Sequence, residues 1–106
     1  MEGVKIIRDG SFIIVKVNDK PVSSLKYKIK GDTMHIISTF TLPSYRGRGL
    51  ASKLMRNAVE YAIQNKIKKI KIYCSFAKYW FEKHPEYAKE FESIEYKEDI
   101  DESILV

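Results

Sequence analysis

The sequence has little of what several common kinds of site require. Its single cysteine excludes an internal disulfide and a multi-cysteine zinc site, and no grouping of His, Cys and carboxylate residues has the spacing of metal ligands. No apolar run approaches the roughly 20 residues that span a bilayer, and the N-terminus lacks the basic and then apolar layout of a signal peptide. We therefore expect a cytoplasmic protein that binds neither a metal nor a membrane.

Positive charge is abundant, and it is unevenly distributed along the 106 residues, which we interpret as a single domain, 1–106. Residues 1–89 contain 18 Lys or Arg and 7 Asp or Glu, whereas residues 90–106 contain 1 Lys and 7 Asp or Glu. The basic part favours an anionic partner, either nucleic acid or a phosphate-bearing cofactor. The acidic C-terminal tail, 92–106, is either a solvated end or a shield for part of the basic surface.

Short apolar segments separated by turn residues occupy the first 41 positions. Leu25, Tyr27 and Ile29 alternate with lysines, which is typical of a half-buried strand, and Asp9-Gly10 has the composition of a hairpin turn. Four consecutive strands joined by tight turns predict an antiparallel meander. The predicted strands cover residues 4–8, 11–17, 25–30 and 33–41, and Pro21, after the turn at Asn18-Asp19, suits the start or edge of a strand.

The periodicity changes after the fourth strand. Apolar residues recur at helical spacing, which predicts an amphipathic helix over about 49–65. A fifth strand over 69–74 follows, and the order strand, helix, strand makes it parallel to the fourth. We predict a second helix over 76–83, one further turn over 86–91, and an irregular segment or weak strand from residue 92. The fold class is therefore α+β, a mixed sheet with helices.

A glycine-rich turn lies between the fourth strand and the first helix. Gly47 and Gly49 have no Cβ, so backbone amides there can approach a ligand closely. The start of the following helix adds unpaired amides and a partial positive charge, and Arg46 and Arg48 add full charges. This arrangement favours a phosphate or pyrophosphate site, although a polar turn that only caps the helix is the alternative. The spacing excludes the dinucleotide fingerprint and the nucleotide-hydrolysing P-loop.

The run Pro43-Ser44-Tyr45-Arg46-Gly47-Arg48-Gly49-Leu50-Ala51 resembles the cofactor-binding motif of the GCN5-related N-acetyltransferases. That motif reads Gln/Arg-x-x-Gly-x-Gly/Ala, and Arg46, Gly49 and Ala51 match it. Residues 74–78 and 81–87 are similar to the signature of a small single-domain subfamily, the minimal or YjdJ-like acetyltransferases. Those proteins lack two helices between the first two strands, as this chain does, and the resemblance spans about residues 4–91.

The resemblance implies an α/β acetyltransferase fold and transfer of an acetyl group from acetyl-CoA to an amine of a protein or small molecule. It implies that the pyrophosphate lies on the amides of residues 46–51 and the pantetheine arm between the diverging fourth and fifth strands. It also accounts for the basic charge without nucleic acid, and we expect a monomer or weak dimer. The residues expected to contact the cofactor are Phe40, Thr41, Leu42, Arg46, Gly47, Arg48, Gly49, Leu50, Ala51, Ser52, Cys74 and Lys78.

Cys74 is the predicted catalytic residue. It ends the predicted fifth strand just before a helix, and the helix start and nearby Lys78 favour a thiolate. Two roles are open: a nucleophile that accepts the acetyl group, or an acid that protonates the departing CoA thiolate. A small buried hydrophobe is the structural alternative. Larger relatives place a tyrosine acid where Phe81 stands, which favours Cys74 or no dedicated acid.

The sequence assigns no general base. His84 precedes a proline and is expected to cap a helix, whereas His35 is expected to be a surface or cross-strand residue. Ser38 stands where the small subfamily often has a histidine. A base must reach the amine directly or through one water, and neither histidine is indicated for that position by the pattern alone.

Two non-catalytic functions remain as alternatives. The protein could bind acyl-CoA without turnover. It could also bind nucleic acid or an acidic protein on a basic sheet, in which case Tyr27, Phe40 and Tyr73 would have to form an exposed stacking platform beside lysines. Strand alternation alone does not decide which of these rings are exposed.

Overall fold

The structure, a computed structural model, describes residues 3–100 and 102–104. The described strands form one sheet in chain order, β1 to β6. They are β1 Val4–Asp9, β2 Phe12–Val17, β3 Lys20–Lys30, β4 Thr33–Thr41, β5 Lys69–Ile72 and β6 Ser93–Tyr96. The helices are α1 Leu50–Gln64, α2 Ser75–Lys83 and α3 Pro85–Ala88, with 3₁₀ turns at Pro43–Tyr45 and Glu102–Ile104.

The predicted topology is confirmed. Strands β1 to β4 pair antiparallel as a meander, and β5 pairs parallel with β4 from Thr33 opposite Lys69 to Ile36 opposite Ile72. The crossover through α1 produces this parallel pairing, because a strand, helix and strand in sequence bring the second strand back in the same direction. The sheet is therefore mixed, with helices, and the α+β class is confirmed.

Several strand boundaries and the last strand differ from the sequence prediction. Strand β1 ends at Asp9 and β2 begins at Phe12, so the first hairpin turns at Gly10-Ser11 and not at Asp9-Gly10. Strand β3 begins at Lys20, next to Pro21, and β5 ends at Ile72 rather than at residue 74. The segment after residue 92, left as irregular or weakly extended, forms β6 and pairs parallel with β5. Ile94 and Tyr96 alternate with Ser93 and Glu95, but four residues are too short a run to identify a strand by periodicity alone, and pairing with β5 fixes the extended conformation.

All buried apolar contacts of α1 and α2 with the sheet lie on one face, which we call the helix face. Directly paired residues share a face of a sheet, and Leu25 opposite Ile13, Met34 opposite Ile70 and Ile36 opposite Ile72 all join the same core as the helices. The intervening residues point to the opposite face. There, Lys28, His35 and Lys71 lie side by side on three neighbouring strands.

Neither of two further kinds of feature occurs among the described residues. None of their helices combines the length and apolar character needed to cross a membrane. Nor do three or more of their His, Cys, Asp and Glu side chains come together in a group that could hold a metal ion.

Candidate active site

The glycine-rich turn adopts a backbone conformation that side chains disfavour. Gly47 has φ +78° and Gly49 has φ +76°, in the left-handed region that costs other residues roughly 1–2 kcal/mol. A Cβ built on either glycine meets no atom within 4 Å. The turn therefore requires glycine for its dihedral angles and not because a neighbour crowds it, and it leaves open space above the backbone.

The turn presents a row of unpartnered donors. Within residues 3–100 and 102–104, the backbone amides of residues 47–52 donate to no protein acceptor, and the first amide with a helical partner is that of Lys53, 3.1 Å from the carbonyl of Gly49. The amide of Arg46 is different, because it lies 3.3 Å from the carbonyl of Pro43. The start of α1 adds its partial positive charge to this row. The arrangement suits an anion with several oxygen acceptors.

A pocket of about 270 Å³ opens beside these amides. The turn forms one wall, and side chains from the end of β4, the 3₁₀ turn and the start of α2 form the rest. Tyr45 and Phe76 line it although sequence reasoning did not select them as contacts. Both flank selected residues, so a wider window around each motif would have found them. The lining residues are Thr41, Tyr45, Arg46, Gly47, Gly49, Leu50, Ala51, Ser52 and Phe76.

Three cationic side chains lie near residues that line the pocket. The Nε of Arg46 donates to the carbonyl of Thr41 at 3.1 Å, which ties that side chain to the end of β4. The guanidinium of Arg48 lies 5.0 Å from the ring centroid of Tyr45, and the ammonium of Lys20 lies 5.9 Å from the same ring. The pocket therefore combines fixed backbone dipoles with charged side chains held over an aromatic wall.

Strands β4 and β5 part beside the pocket. The last bond between them that the described residues make joins the amide of Tyr73 to the carbonyl of Ile36 at 3.0 Å. Beyond it β4 continues to Thr41, and no strand of the described part of the chain pairs with it on that side. The register between β3 and β4 shifts there, because Tyr27 pairs with Ile36 and Lys26 pairs with Ser38. Ile37 is thus an extra residue in β4, a bulge that reverses the alternation beyond it.

This bulge determines which backbone groups of β4 face the unpaired edge, and they are not those of Phe40 and Leu42. The amide of Leu42 bonds the carbonyl of Val22 at 2.9 Å, so Leu42 faces β3, and by alternation Phe40 does too. Thr39 and Thr41 therefore turn their backbone groups to the unpaired edge. The side chain of Phe40 is 54% exposed and lies on the opposite face of the sheet from the pocket. Neither Phe40 nor Leu42 lies among the pocket residues.

Cys74 lies at the point where the two strands separate. It is the residue before α2, in extended conformation and partly exposed, and its Sγ lies 3.4 Å from the Oγ1 of Thr39 across the gap. Lys78 is placed elsewhere. Its ammonium lies 5.1 Å from the ring centroid of Tyr96 and lines a separate groove with Phe81. Lys78 is thus outside the pocket.

Some residues of the motif region serve the packing of the helices. Leu50 is 1% exposed in the core, so only its backbone faces the turn. The Oγ of Ser52 accepts a bond from the indole N–H of Trp80 at 2.9 Å. His84 stacks on Trp80 with ring centroids 4.1 Å apart, and its Nδ1 lies 2.8 Å from the Trp80 carbonyl. Because a carbonyl only accepts, Nδ1 of His84 carries the proton, and His84 stabilises the end of α2.

The three aromatic residues of the nucleic-acid alternative do not all lie on one surface, because Tyr27 is separated from Phe40 and Tyr73 by the sheet. Tyr27 is 6% exposed on the helix face, where burial raises its pKa above the ordinary value of 10.0, an effect that Arg8 partly opposes. Tyr73 stacks on His35 on the opposite face, with ring planes 20° apart. His35 is 6% exposed, and its Nδ1 lies 2.9 Å from the hydroxyl of Tyr73. His35 is therefore a cross-strand residue, as predicted, but a buried one.

Comparison with protein families identifies a relationship that covers most of the chain. The model of the family described as GCN5-related N-acetyl-transferase matches residues 11–90. A search of the curated proteins gives no match. The NMR structure of a candidate GCN5-like N-acetyltransferase from Staphylococcus aureus is 25% identical, with 90% of this chain and 94% of that chain covered and a TM-score of 0.69.

Two more distant structures share the fold. The PaiA N-acetyltransferase from Thermoplasma acidophilum, solved with coenzyme A, is 14% identical, with 67% of this chain and 48% of that chain covered and a TM-score of 0.60. The ribosomal-protein-S18-alanine N-acetyltransferase from Escherichia coli is 13% identical, with 64% and 40% covered and a TM-score of 0.52. This chain spans less than half the length of either protein. The assignment to the minimal subfamily stays a prediction.

Proposed function

The chain belongs to the GCN5-related N-acetyltransferase family, and from that premise we propose that it transfers an acetyl group from acetyl-CoA to an amine. Membership of the family supports acetyltransferase activity in general, and the donor and the kind of acceptor are the proposal. The observation that carries it is the row of unpartnered amides at residues 47–52 beside the pocket. A diphosphate offers several anionic oxygens to such donors, and charge-assisted bonds of this kind are stronger than neutral ones.

The residues present fit an acyl-CoA in two parts. The amides of residues 47–52 and the side chains of Arg46 and Arg48 would hold the pyrophosphate. The unpaired edge of β4, with the backbone groups of Thr39 and Thr41, would bond the amides of the pantetheine arm as an added strand does. Bound there, the thioester supplies an acyl carbon that is open to attack by nitrogen.

The proposal gives Cys74 a role at the far end of that edge. Thr39 lies two residues from Thr41, about 7 Å along an extended strand, and contacts the Cys74 sulfur at 3.4 Å. In direct transfer, the Cys74 thiol gives its proton to the departing sulfur as the new carbon–nitrogen bond forms. In two-step transfer, the Cys74 sulfur takes the acetyl group and then yields it to the amine. The acceptor is an amine of a protein or a small molecule.

The test combines ligand binding with turnover. CoA at a hundred times its dissociation constant should stabilise the fold by about 2.7 kcal/mol, whereas AMP, which lacks the diphosphate and the arm, should not. Acetyl-CoA with a panel of amines should release free thiol. Cys74→Ala should abolish turnover and leave CoA binding nearly intact. Turnover that survives in Cys74→Ala would remove the cysteine from the chemistry, and a fold unresponsive to CoA would overturn the proposed function.

One observation favours a second candidate, an acyl-CoA-binding protein without turnover. Phe81, which is 6% exposed, occupies the place where the resemblance expects a tyrosine acid, and its ring has no proton to donate. CoA-dependent stabilisation without thiol release from any amine, and without an acetyl group on Cys74 by intact-mass measurement, would support this candidate over the enzyme.

A further inference from the structure

His35 and Tyr73 form a polar pair next to the gap between β4 and β5, and the proposed reaction gives them no role so far. The Nδ1 of His35 and the hydroxyl of Tyr73 are 2.9 Å apart, and His35 is 6% exposed. Tyr73 directly precedes Cys74, and its amide makes the last bond to β4 before the strands part. The pair is therefore one residue away from the start of the gap on both strands.

The pair and the pocket lie on different faces of the sheet. Thr39 pairs with Leu25 and so lies on the helix face, where its side chain meets Cys74. His35 pairs with Lys28 and Lys71 on the opposite face. A donor held in the pocket would enter the gap from the helix face. The incoming nitrogen must reach the acyl carbon from a side that the donor leaves open, and that side carries Tyr73.

We propose, on the premise of the proposed function, that Tyr73 takes the proton of the acceptor amine and that His35 orients Tyr73 and relays the proton. Before attack, the ionised amine gives one proton to the Tyr73 oxygen as the Tyr73 proton passes to Nδ1 of His35, which frees the lone pair of the nitrogen. The nitrogen then forms its bond to the acyl carbon while the carbon–sulfur bond breaks, and the second proton lost by nitrogen passes to the departing sulfur through Cys74 or solvent. His35 later returns its proton to solvent.

Other ionisable groups face this pair from the neighbouring strands. Lys28 on β3 and Lys71 on β5 stand directly opposite His35, and Glu95 on β6 stands opposite Lys71. The proton relay is therefore tested on variants of the pair itself, which leave these neighbouring charges in place. Position and contact with Tyr73 distinguish His35 from His84, whose Nδ1 proton is held by the Trp80 carbonyl.

The experiment uses two probe amines, N-α-acetyl-lysine, which is ionised at pH 7, and hydroxylamine, which is neutral there. His35→Gln and Tyr73→Phe should each lower kcat/KM for N-α-acetyl-lysine by about 10²–10⁴-fold, the usual contribution of a general base. Hydroxylamine should lose less than about tenfold, because it needs no deprotonation before attack. The double variant should lose no more than either single one, since the two groups act as a unit.

The pH profile adds a readout that a purely structural role would not change. In the wild type, kcat/KM for N-α-acetyl-lysine should fall at low pH as the pair takes up a proton, and both variants should lack that limb. His84→Gln is the matched control and should keep the wild-type profile. Equal losses of kcat/KM for both amines, or an unchanged pH profile in His35→Gln, would overturn the proton relay and leave the proposed function standing. Absence of wild-type turnover with either amine would overturn the proposed function and the relay with it.

Discussion

Replacing Ser52 by alanine separates the role of its side chain from the role of its backbone. The Ser52 hydroxyl is the acceptor for the indole N–H of Trp80, at 2.9 Å, and Trp80 is 2% exposed. Ser52→Ala leaves that buried donor without a partner, which costs about 1–3 kcal/mol. For a domain of this size each kcal/mol lowers Tm by roughly 4–8 °C. The backbone amide of residue 52 is untouched, so CoA affinity should be unchanged.

Urea denaturation measures the first expectation and calorimetric titration with CoA the second. The midpoint should fall at unchanged slope, which marks a loss of stability without a change in the denatured state. Ser44→Ala is the matched control, because Ser44 is an exposed serine of the same loop region, and it should stay within about 0.5 kcal/mol of the wild type. A folded Ser52→Ala variant that no longer binds CoA would refute the reasoning, because the hydroxyl and not the amides would then hold the ligand.

Two further predictions concern the turn and the core. Gly49→Ala and Gly10→Ala both place a side chain at positive φ, +76° and +58°, so each should lose roughly 1–2 kcal/mol of stability. Only Gly49→Ala should also weaken CoA binding by titration, and equal weakening in both would contradict the account. Burial raises the pKa of Tyr27 above 10.0, so its contribution to stability is complete below pH 10 and is lost as pH rises through the folded-state pKa. Tyr27→Phe should lose less stability than the wild type between pH 9 and 11 in denaturation curves, and parallel losses would contradict this.

The order of the elements could be predicted from the sequence because each element has its own local signal. The turn signal at Asp9-Gly10, the alternation from Leu25 to Ile29 and the helical spacing after Gly49 all act over a few residues. The turn itself lies one residue later, at Gly10 and Ser11, because Asp9 pairs with Phe12. The parallel pairing of β5 followed from a topological rule. Strand β6 has only a short alternation over four residues, and its pairing with β5 is a long-range contact that a local pattern does not predict.

The site could be predicted in its outline but not in its detail. The glycine turn and the position of Cys74 before a helix could be predicted because they follow from single residues and local patterns, whereas the catalytic role of Cys74 stays a prediction. The sequence did not predict that Thr39 and Thr41, and not Phe40 and Leu42, turn their backbone groups to the unpaired edge. That direction depends on one extra residue in β4 opposite β3. The position of Lys78 outside the pocket could not be predicted either, because it depends on tertiary structure. The ammonium of Lys78 lies near the ring of Tyr96 on β6.

The burial of His35 also depended on partners distant in sequence. Its neighbours in β4 gave no reason to expect a buried imidazole, and Tyr73, which bonds it at 2.9 Å, is 38 residues away. A polar side chain can be buried at low cost only when such a partner is present. Alternation in the sequence predicts which face of a strand a side chain occupies, but it does not predict which residues of other strands lie beside it.

The central claim is that the unpartnered amides of residues 47–52 hold the diphosphate of an acyl-CoA. The most direct measurement is an NMR titration of ¹⁵N-labelled protein with CoA. The largest amide shifts should fall on residues 47–52, followed by Thr39 and Thr41 on the unpaired edge of β4. Saturable CoA binding that leaves the amides of residues 47–52 unshifted, with the changes instead around Lys28 and Lys71 on the opposite face, would contradict the claim.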